Sequence, residues 1–419
     1  MKIIHTSDWH IGQIFNEYDR TGEHLAFFRR LEETVAEERP DALLVCGDIF
    51  HNPLPSAQSQ NIYTEAVLSL KKACPGMAIV ITAGNHDSGS RLEVYRKLWD
   101  LAGVKVSGCL SRSAGKILYR DHIIRIPSVS DPGETAGFVI ALPYIYRQNY
   151  PAPEEDEGIP EGEDATAARQ RSFYNRLMAV ADKENTEGLP TVMMAHMAVT
   201  GCDITGHDEP IGGMEYVPYS VFPEGCDYLA LGHIHRPQTI RASGHAGTRP
   251  VARYSGSPIP LNFDEDYGHS ISVVEMERQG DIKIREVEIP CSIPVLTLPE
   301  MPVPFEEALQ ALRDFPDDRP AYIRLNVLIR DFLPQNAVFK AVAAAQGKAC
   351  RYCSMKLTRT GEEDKGRSAG MTADEIRSLG PVDVARLYYR NRFGCEMDGS
   401  QEQMLEEIIG EIRKEDEKE

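Results

Sequence analysis

Five short apolar segments of the chain each run directly into polar side chains, and this arrangement limits the folds that the chain can adopt. The segments are residues 2–7, 42–46, 78–82, 191–195 and 228–232. Each has the length and apolar character of a buried β-strand. Charged stretches with helical periodicity follow the first three segments, and this alternation predicts a βαβ sheet. Ligands bind such sheets beyond the carboxyl ends of the strands, so the residues there are candidates for a site.

The residues that follow these strands are potential metal ligands. They are Asp8, His10, Asp48, Asn85, His86, His196, His233 and His235. Side chains two residues apart in an extended segment point to the same side, so Asp8 and His10 can share one ion. Mixed oxygen and imidazole ligands suit Mn²⁺, Fe or Zn²⁺ better than Ca²⁺. Because the set is too large for one ion, it predicts two ions about 3.5–4 Å apart that share a carboxylate.

Each of these residues by itself also has an ordinary structural explanation. A Gly-Asp pair after a strand is commonly a turn, and a single His at a strand end is commonly a core or surface residue. Their occurrence together, each after an apolar strand, favours a metal site. Of the other histidines, His5 is expected to face the core, and no supporting pattern surrounds the rest, which are His24, His122, His207, His245 and His269.

Composition restricts the partners and the compartment. The 419 residues include 64 acidic and 45 basic side chains, so the formal net charge is −19, and the chain alone is not expected to bind nucleic acid tightly. Nine cysteines, an odd number in a long chain, favour reduced thiols. Cys350 and Cys353 form the only close pair, and zinc or redox use of them stays open. Without a signal-peptide pattern or an apolar run of 18 residues, we expect a cytoplasmic protein with no membrane segment.

The pattern of elements changes after about residue 290 and predicts several domains. We expect a main domain over residues 1–285 and a small α+β domain over 286–360. A Pro-rich acidic loop interrupts the main domain at 151–164. Residues 361–370 read as a flexible linker, and capping boxes that begin at Thr372 and Ser400 predict helices over 371–419.

The ligand motifs, taken in order, resemble those of the calcineurin-like metallophosphoesterases. These motifs are Asp-x-His, Gly-Asp, Gly-Asn-His-Asp, His and Gly-His-x-His. Longer strings are similar to nuclease members of that family that work with an SMC-like ATPase. These strings are SDWHIGQ, GDIF, AGNHDSG, IGGMEYVP, ALGHIHRPQ and YSGSPIPLNFDE. The resemblance covers the first 265 or so residues densely, and it implies a two-layered β-sandwich core flanked by helices, a small capping domain and C-terminal helices.

The resemblance also implies a role for each residue of the site. One metal ion would be held by Asp8, His10, Asp48 and His235. The other would be held by Asp48, Asn85, His196 and His233. His86 would face the scissile phosphate as a transition-state stabiliser or proton donor, and His51 stands where some relatives have a second active-site His. Asp87 is expected to orient its neighbours through hydrogen bonds.

The activity that the resemblance implies is metal-dependent hydrolysis of DNA, with Mn²⁺ as the preferred ion. Relatives act as 3′→5′ exonucleases on double-stranded ends and as endonucleases on hairpins. A homodimer, built from apolar faces within 58–72 and 91–101, would join the ATPase in a nucleoid-associated heterotetramer, with the C-terminal helices docked on the ATPase coiled coil. Possible phosphate contacts are Arg20, Arg91, Arg96 and Arg112.

Two other functions remain open at this point. The metal motifs alone fit a phosphoesterase with another substrate class, although such an enzyme needs neither a capping domain nor docking helices. A non-catalytic scaffold that binds DNA ends is the second alternative, and the full ligand set together with His86 argues against it.

Overall fold

The computed structural model describes residues 1–153, 164–206, 215–240, 250–277, 282–329 and 332–359. Residues 1–328 and 332–357 belong to one compact unit, and a second unit contains residues 329–331 and 358–419. The predicted linker at 361–370 and the predicted helices at 371–419 lie outside the described residues, as does most of the acidic loop at 151–164. No helix in the described part of the chain is long and apolar enough to cross a membrane.

The larger sheets and the helices are numbered here in chain order. The strands are β1 (Lys2–Thr6), β2 (Ala42–Cys46), β3 (Ala78–Thr82), β4 (Val104–Ser107), β5 (Ile123–Pro127), β6 (Thr135–Ala141), β7 (Thr191–His196), β8 (Tyr228–Gly232), β9 (Gln238–Ile240), β10 (Val251–Tyr254), β11 (Ser270–Met276), β12 (Ile282–Glu288), β13 (Val295–Val303), β14 (Tyr322–Ile329) and β15 (Arg351–Arg359). The helices are α1 (Thr21–Glu38), α2 (Ala57–Ala73), α3 (Gly89–Leu92), α4 (Arg96–Leu101), α5 (Ala165–Glu184), α6 (Phe305–Asp314) and α7 (Ala337–Ala345).

Two mixed sheets form the main body of the described chain. The first has the order β12-β11-β1-β2-β3-β4, with β1 to β4 parallel and β11 antiparallel to β1. The second has the order β9-β10-β8-β7-β6-β5, with antiparallel strands at both edges. Its four central strands are parallel. In each sheet, therefore, the carboxyl ends of the parallel strands lie at the same end of the sheet.

The sheets pack face to face, and helices cover their outer faces. Leu44 and Val80 of the first sheet and Val192 of the second belong to one buried cluster between the layers. Each fully buried side chain of this kind contributes about 1.5–3 kcal/mol. Helices α1 and α2 pack on the first sheet, for example through Leu31, and α5 packs on the second through Leu177. This two-layered β-sandwich flanked by helices confirms the α/β fold class expected from the sequence.

A smaller sheet, with the order β13-β14-β15, follows the sandwich in sequence and packs with α6 and α7. It contacts the main body through an aromatic cluster of Phe15, Phe263 and Tyr322. The Tyr322 hydroxyl donates to Glu23 Oε2 at the start of α1, at 2.8 Å. The domain boundary at 285/286 stays a prediction.

One prediction about the elements was incomplete and another was wrong. Residues 91–101 are helical, as their periodicity predicts, but a 3₁₀ turn at Glu93–Tyr95 divides them between α3 and α4, and the Glu93 carboxylate accepts bonds from the Gly108 and Cys109 amides after β4. The sequence of residues 251–255, 271–276 and 282–288, which correspond to β10, β11 and β12, predicts strands of one second sheet layer. Only β10 joins the second sheet, whereas β11 pairs with β1 and is mostly buried between β1 and β12.

Candidate metal centre

All nine side chains predicted for the site meet at the carboxyl ends of the strands. The loops after β1, β2 and β3 bring one group of them from the first sheet, and β7 and β8 bring the others from the second. Three groups of described side chains have donor atoms within 4.8 Å of one another: Asp8, His10 and His235; Asp8, Asp48 and His196; and His10, His51 and His86. Asn85 and His233 join through the contacts described next. Residues distant in sequence thus share one centre because the two sheets are aligned.

Asp48 lies in the middle of this centre. Its Oδ2 is 3.5 Å from His10 Nε2 and 3.4 Å from His196 Nε2. Its Oδ1 accepts a 2.9 Å bond from the His86 backbone amide. One carboxylate oxygen therefore stands between imidazoles from both sheets, as expected of a ligand shared by two cations.

Asn85 occupies the side of the centre that faces the second sheet. Its Oδ1 is 3.0 Å from His196 Nε2 and 3.0 Å from His233 Nδ1. The other ring nitrogen of His196, Nδ1, donates to the Cys46 carbonyl at 2.9 Å. This bond fixes the tautomer that leaves Nε2 as an electron-pair donor.

On the opposite side, Asp8, His10 and His235 form a second potential binding position. The His233 backbone amide lies 3.0 and 3.2 Å from the two Asp8 carboxylate oxygens. His10 Nε2 is buried and has no hydrogen-bond partner among the described residues. A buried imidazole nitrogen without a partner is costly, and a bound cation would remove that cost. The residues present therefore fit divalent ions.

The backbone at these strand ends is held in a conformation that L-residues rarely adopt. The φ angles of Asp8, His10, Asp48 and His233 are 53°, 45°, 50° and 97°. Such angles cost roughly 1–3 kcal/mol each and persist where the surrounding structure enforces them. Here the Asp8 amide donates to the Gly47 carbonyl and the His10 amide donates to the Asp48 carbonyl. These bonds hold the loops after β1 and β2 against each other.

Burial and the neighbouring charges set the protonation of the centre. Burial favours the neutral form of Asp48, but the surrounding imidazoles, His196 first, hold the pKa of its carboxyl well below the ordinary value. Burial would lower the pKa of His196, yet the Asp48 charge raises it to about 9. The pKa of His10 is held well below its ordinary value, chiefly by burial. Asp48 and His10 are thus in the anionic and neutral forms that bind a cation, whereas His196 would have to lose a proton when a cation binds.

His86 and His51 lie beside the potential ligands and line a cleft of about 480 Å³. Their rings stack at a centroid distance of 5.8 Å, and His86 Nδ1 donates to the His51 carbonyl at 3.0 Å. His51 Nδ1 is 3.4 Å from His10 Nδ1. Burial and the nearby His86 lower the pKa of His51. Both rings are therefore placed between the potential metal ligands and the space that a substrate would enter.

Asp87 connects the loops after β2 and β3, as expected. Its carboxylate accepts bonds from the backbone amides of Ile49, Phe50 and Gly84, at 3.0, 2.9 and 2.9 Å. It therefore fixes the two loops that carry Asp48 and Asn85 relative to each other.

Glu265 is a buried residue of the centre that sequence reasoning did not single out. Its Oε1 accepts a 2.9 Å bond from His235 Nδ1, and its Oε2 accepts one from the Leu261 amide. Burial would lower the pKa of His235, but the Glu265 charge raises it. The available signal was the string Asn-Phe-Asp-Glu at 262–265, although nothing local to it shows a contact 30 residues away.

Arg20 was considered as a phosphate contact, and the structure contradicts this. Its side chain is fully buried and donates to Glu23, to Gln13 Oε1 and to the Pro260 carbonyl. Its guanidinium also lies over the Tyr322 ring. A buried guanidinium with these partners supports the packing of the smaller sheet and is not available to DNA.

Cys350 and Cys353 are free thiols and occur in none of the metal-compatible groups of described residues.

Comparison with known proteins agrees with this geometry. Residues 1–237 match the family described as calcineurin-like phosphoesterase, and the chain belongs to this family. Divalent metal use follows from that membership, together with the clusters described above. Among curated relatives, the SbcD subunit of the SbcCD nuclease of Rhodobacter capsulatus is 35% identical over 369 residues, which cover 86% of this chain and 88% of the relative.

Two further relatives carry the same name. The SbcD subunit of the Escherichia coli K12 nuclease is 26% identical over 416 residues, covering 98% of this chain and 97% of the relative. That of Bacillus subtilis strain 168 is 29% identical over 303 residues, covering 71% of each. The similarity to SbcD proteins therefore extends beyond the phosphoesterase region.

Proposed function

We propose that this chain is a metal-dependent DNA nuclease subunit that acts with an SbcC-like SMC ATPase and hydrolyses phosphodiester bonds. The observation that carries the proposal is the position of Asp48 between His10 and His196, in a chain similar to SbcD nucleases over most of its length. A carboxylate flanked in this way by two imidazoles can be shared by two cations, as in two-metal phosphoester hydrolysis.

The proposal includes the ligand assignment that the family resemblance implies. One ion would be held by Asp8, His10, Asp48 and His235, and the other would be held by Asp48, Asn85, His196 and His233. The distances of Asp48 Oδ2 and Asn85 Oδ1 to the imidazole nitrogens support this division. The mixed carboxylate, amide and imidazole donors suit Mn²⁺, Fe or Zn²⁺, and among these the resemblance favours Mn²⁺.

The residues of the chain have separate tasks in the reaction. When bound, the two ions supply Lewis-acid activation of water and neutralise the charge of the phosphate. The bond from His86 Nδ1 to the His51 carbonyl orients the ring, and in the protonated ring Nε2–H can donate a hydrogen bond or a proton to the leaving oxygen. His51, which lies next to His86, stabilises the negative charge that develops on the phosphate during hydrolysis. Glu265 and Asp87 keep His235 and the ligand loops in place.

The finer activities remain proposals that rest on the resemblance. They are 3′→5′ exonuclease action on duplex ends, endonuclease action on hairpins, and use in DNA repair, recombination and replication at the nucleoid. A homodimer within a heterotetramer with the ATPase is supported by an exposed apolar surface. Its members, with their exposed fractions, are Leu54 68%, Leu68 44%, Val94 65%, Tyr95 60%, Leu98 63% and Leu101 87%.

One set of assays tests the proposed function against its alternatives. The wild type is incubated with radiolabelled duplex DNA, hairpin DNA and a phosphoserine peptide, with and without Mn²⁺ and with and without the ATPase and ATP. We expect Mn²⁺-dependent cleavage of DNA only, and its loss in Asp48→Asn. Cleavage of the peptide but not DNA would indicate a different phosphoesterase. DNA binding without cleavage under every condition would indicate a scaffold.

A further inference from the structure

A second cavity, of about 630 Å³, adjoins the catalytic cleft and is not explained by the metal centre. We call it the Tyr146 cavity. Its lining includes Gly84, Cys109, Arg112, Tyr144, Tyr146 and Tyr150. Tyr144 and Tyr150 also line the cleft that contains His86 and Asp48, so the two spaces meet at these side chains. The Tyr146 cavity therefore lies directly beside the metal centre.

Two aromatic rings mark the passage between the cleft and the cavity. The Tyr144 ring lies 6.2 Å from the His196 ring, and the Tyr146 ring lies 5.0 Å from that of Tyr144, edge to face at 87°. Tyr146 is 53% exposed, so much of its ring is open to a ligand. An exposed ring beside a catalytic cleft provides a surface on which a base of any identity can stack.

The segment that presents these rings is fixed at both ends. The Tyr144 amide donates to the Ala83 carbonyl at 2.7 Å, which ties the segment to the loop that carries Asn85. The Tyr150 hydroxyl is hydrogen-bonded to the Tyr174 hydroxyl at 2.9 Å. The rings are therefore held at a constant position relative to the metal centre, so that stacking on them costs little ordering entropy.

The charge of the cavity also favours a nucleic-acid strand. Arg112 lies in its lining, and its guanidinium donates weakly, at 3.3 and 3.4 Å, to the backbone carbonyls of Asn149 and Gly115. The acidic residue of the lining, Asp87, directs its carboxylate to three backbone amides. Arg112 is thus the charge most available to a ligand there, and a guanidinium binds phosphate well.

We propose that the Tyr146 cavity binds an unpaired nucleotide next to the scissile phosphate, with its base on Tyr146 and its phosphate near Arg112. This inference rests on the proposed nuclease function. Holding the unpaired base there would keep the end of a duplex open while the neighbouring phosphodiester lies at the metal centre. Extrusion of a base from the stack costs energy, which stacking on an aromatic side chain offsets.

The test uses the full chain together with the ATPase and ATP, because the chain alone is not expected to bind DNA tightly, and it compares Tyr146→Ala with Tyr146→Phe, which keeps the ring. Phe339→Ala, which removes another exposed ring on α7, is the matched control, because Phe339 is 74% exposed. A duplex with 2-aminopurine at its 3′ end reports stacking by fluorescence quenching, measured with Ca²⁺ so that binding is observed without turnover. Cleavage of the same duplex and of bis(p-nitrophenyl) phosphate, which has no base, is measured with Mn²⁺.

We expect Tyr146→Ala to abolish the quenching and to slow DNA cleavage by roughly 5- to 100-fold, as for the loss of one base–aromatic stack. Tyr146→Phe and Phe339→Ala should behave like the wild type, and hydrolysis of the small ester should be the same in all four proteins. Arg112→Gln should weaken DNA binding and reduce its salt dependence.

The inference is overturned if Tyr146→Ala quenches and cleaves like the wild type, or if it slows hydrolysis of the small ester equally. If the wild type cleaves no DNA, the nuclease proposal fails, and the fluorescence measurement alone then decides whether the cavity binds an unpaired base.

Discussion

Among single residues, the centre depends on side chains whose second polar atom is already engaged. His196 Nδ1 donates to the Cys46 carbonyl and His235 Nδ1 donates to Glu265, so each imidazole keeps one nitrogen for a cation. Three backbone amides fix Asp87, and one fixes Asp48 Oδ1. These contacts orient the ligands before any ion arrives, and they can be tested one residue at a time.

The contact between Glu265 and His235 predicts a role in metal binding. In Glu265→Gln the buried charge that polarises His235 is lost, and we expect the affinity for Mn²⁺ to fall about 10- to 100-fold. Calorimetric titration of the protein with Mn²⁺ measures this directly. Glu187→Gln, on the exposed surface, is the control and should bind as the wild type does. Equal affinities in all three proteins would show that Glu265 has only a packing role.

Among the elements of the fold, the strand-to-loop junctions leave no room for extra atoms. A Cβ on Gly84 would lie 2.1 Å from Asp48 Oδ1 and 2.3 Å from the Asp48 amide nitrogen. A Cβ on Gly47, where φ is +83°, would lie 2.1 Å from His196 Nδ1. The loops after β2 and β3 must approach this closely for Asp48 and Asn85 to lie in one centre.

Gly84→Ala should therefore displace Asp48 without affecting the rest of the sheet. We expect DNA cleavage to fall at least about 100-fold, because a shift of about 1 Å in a catalytic group has an effect of that size. Circular dichroism should show the wild-type fold. Gly22→Ala is the matched control, since no atom lies within 4 Å of the Cβ it would add. Activity close to that of the wild type in Gly84→Ala would mean that the junction can adapt.

The smaller sheet is joined to α1 by a buried polar contact whose strength can be measured. Tyr322→Phe removes the bond to Glu23 and the acceptor of Arg351 Nη1, and we expect the free energy of unfolding to fall by about 1.5–3 kcal/mol. Tyr18→Phe, which loses a bond to the backbone carbonyl of Tyr352, should cost about 0.5–1.5 kcal/mol. Urea denaturation compares the two, and a larger loss for Tyr18→Phe would contradict this assignment.

The local sequence pattern predicted a strand correctly where the apolar character of the segment itself determines its structure. The runs that became β2, β3 and β8 match the structure residue for residue, because each is a short apolar segment buried on both faces. Their polar ends, with those of β1 and β7, also gave the residues of the centre. Sheet membership was harder, since β11 pairs with β1 from the far end of the main domain.

Contacts distant in sequence explain the remaining differences. The Glu93 carboxylate binds two amides of the loop after β4, at the 3₁₀ turn that divides the helical segment. Glu265 reaches His235, and Arg20 is buried between Glu23 and Pro260. No periodicity encodes these contacts, because they exist only once the sheets are aligned.

For the molecule as a whole, a net charge of −19 and an exposed apolar surface both point to partners. The charge disfavours tight DNA binding by the chain alone, so the proposed ATPase would supply much of the positive surface. The exposed apolar residues of α2, of the loop before it, of the 3₁₀ turn at Glu93–Tyr95 and of α4 are of the kind that proteins cover in an assembly. We assign it to a second copy of the chain.

This assignment predicts a change in oligomeric state. Leu101 is 87% exposed, and Leu101→Glu would place a charge in the proposed apolar interface. Light scattering after gel filtration should give twice the chain mass of 46.7 kDa for the wild type and the single chain mass for the variant. Phe339→Glu, on the exposed side of α7, should remain dimeric. A monomeric wild type would contradict the proposed dimer.

The metal ligands and His86 are proposed to perform different tasks in DNA hydrolysis, and the nuclease function depends on this division. Mn²⁺ binding and Mn²⁺-dependent cleavage of duplex DNA, measured in the wild type and in His86→Ala, separate the two tasks. We predict unchanged Mn²⁺ affinity and a loss of cleavage of about 10²- to 10⁴-fold, as for removal of a general acid. Cleavage by His86→Ala at the wild-type rate, or a wild type that binds Mn²⁺ but cleaves no DNA even with the ATPase and ATP, would contradict the proposed division of tasks.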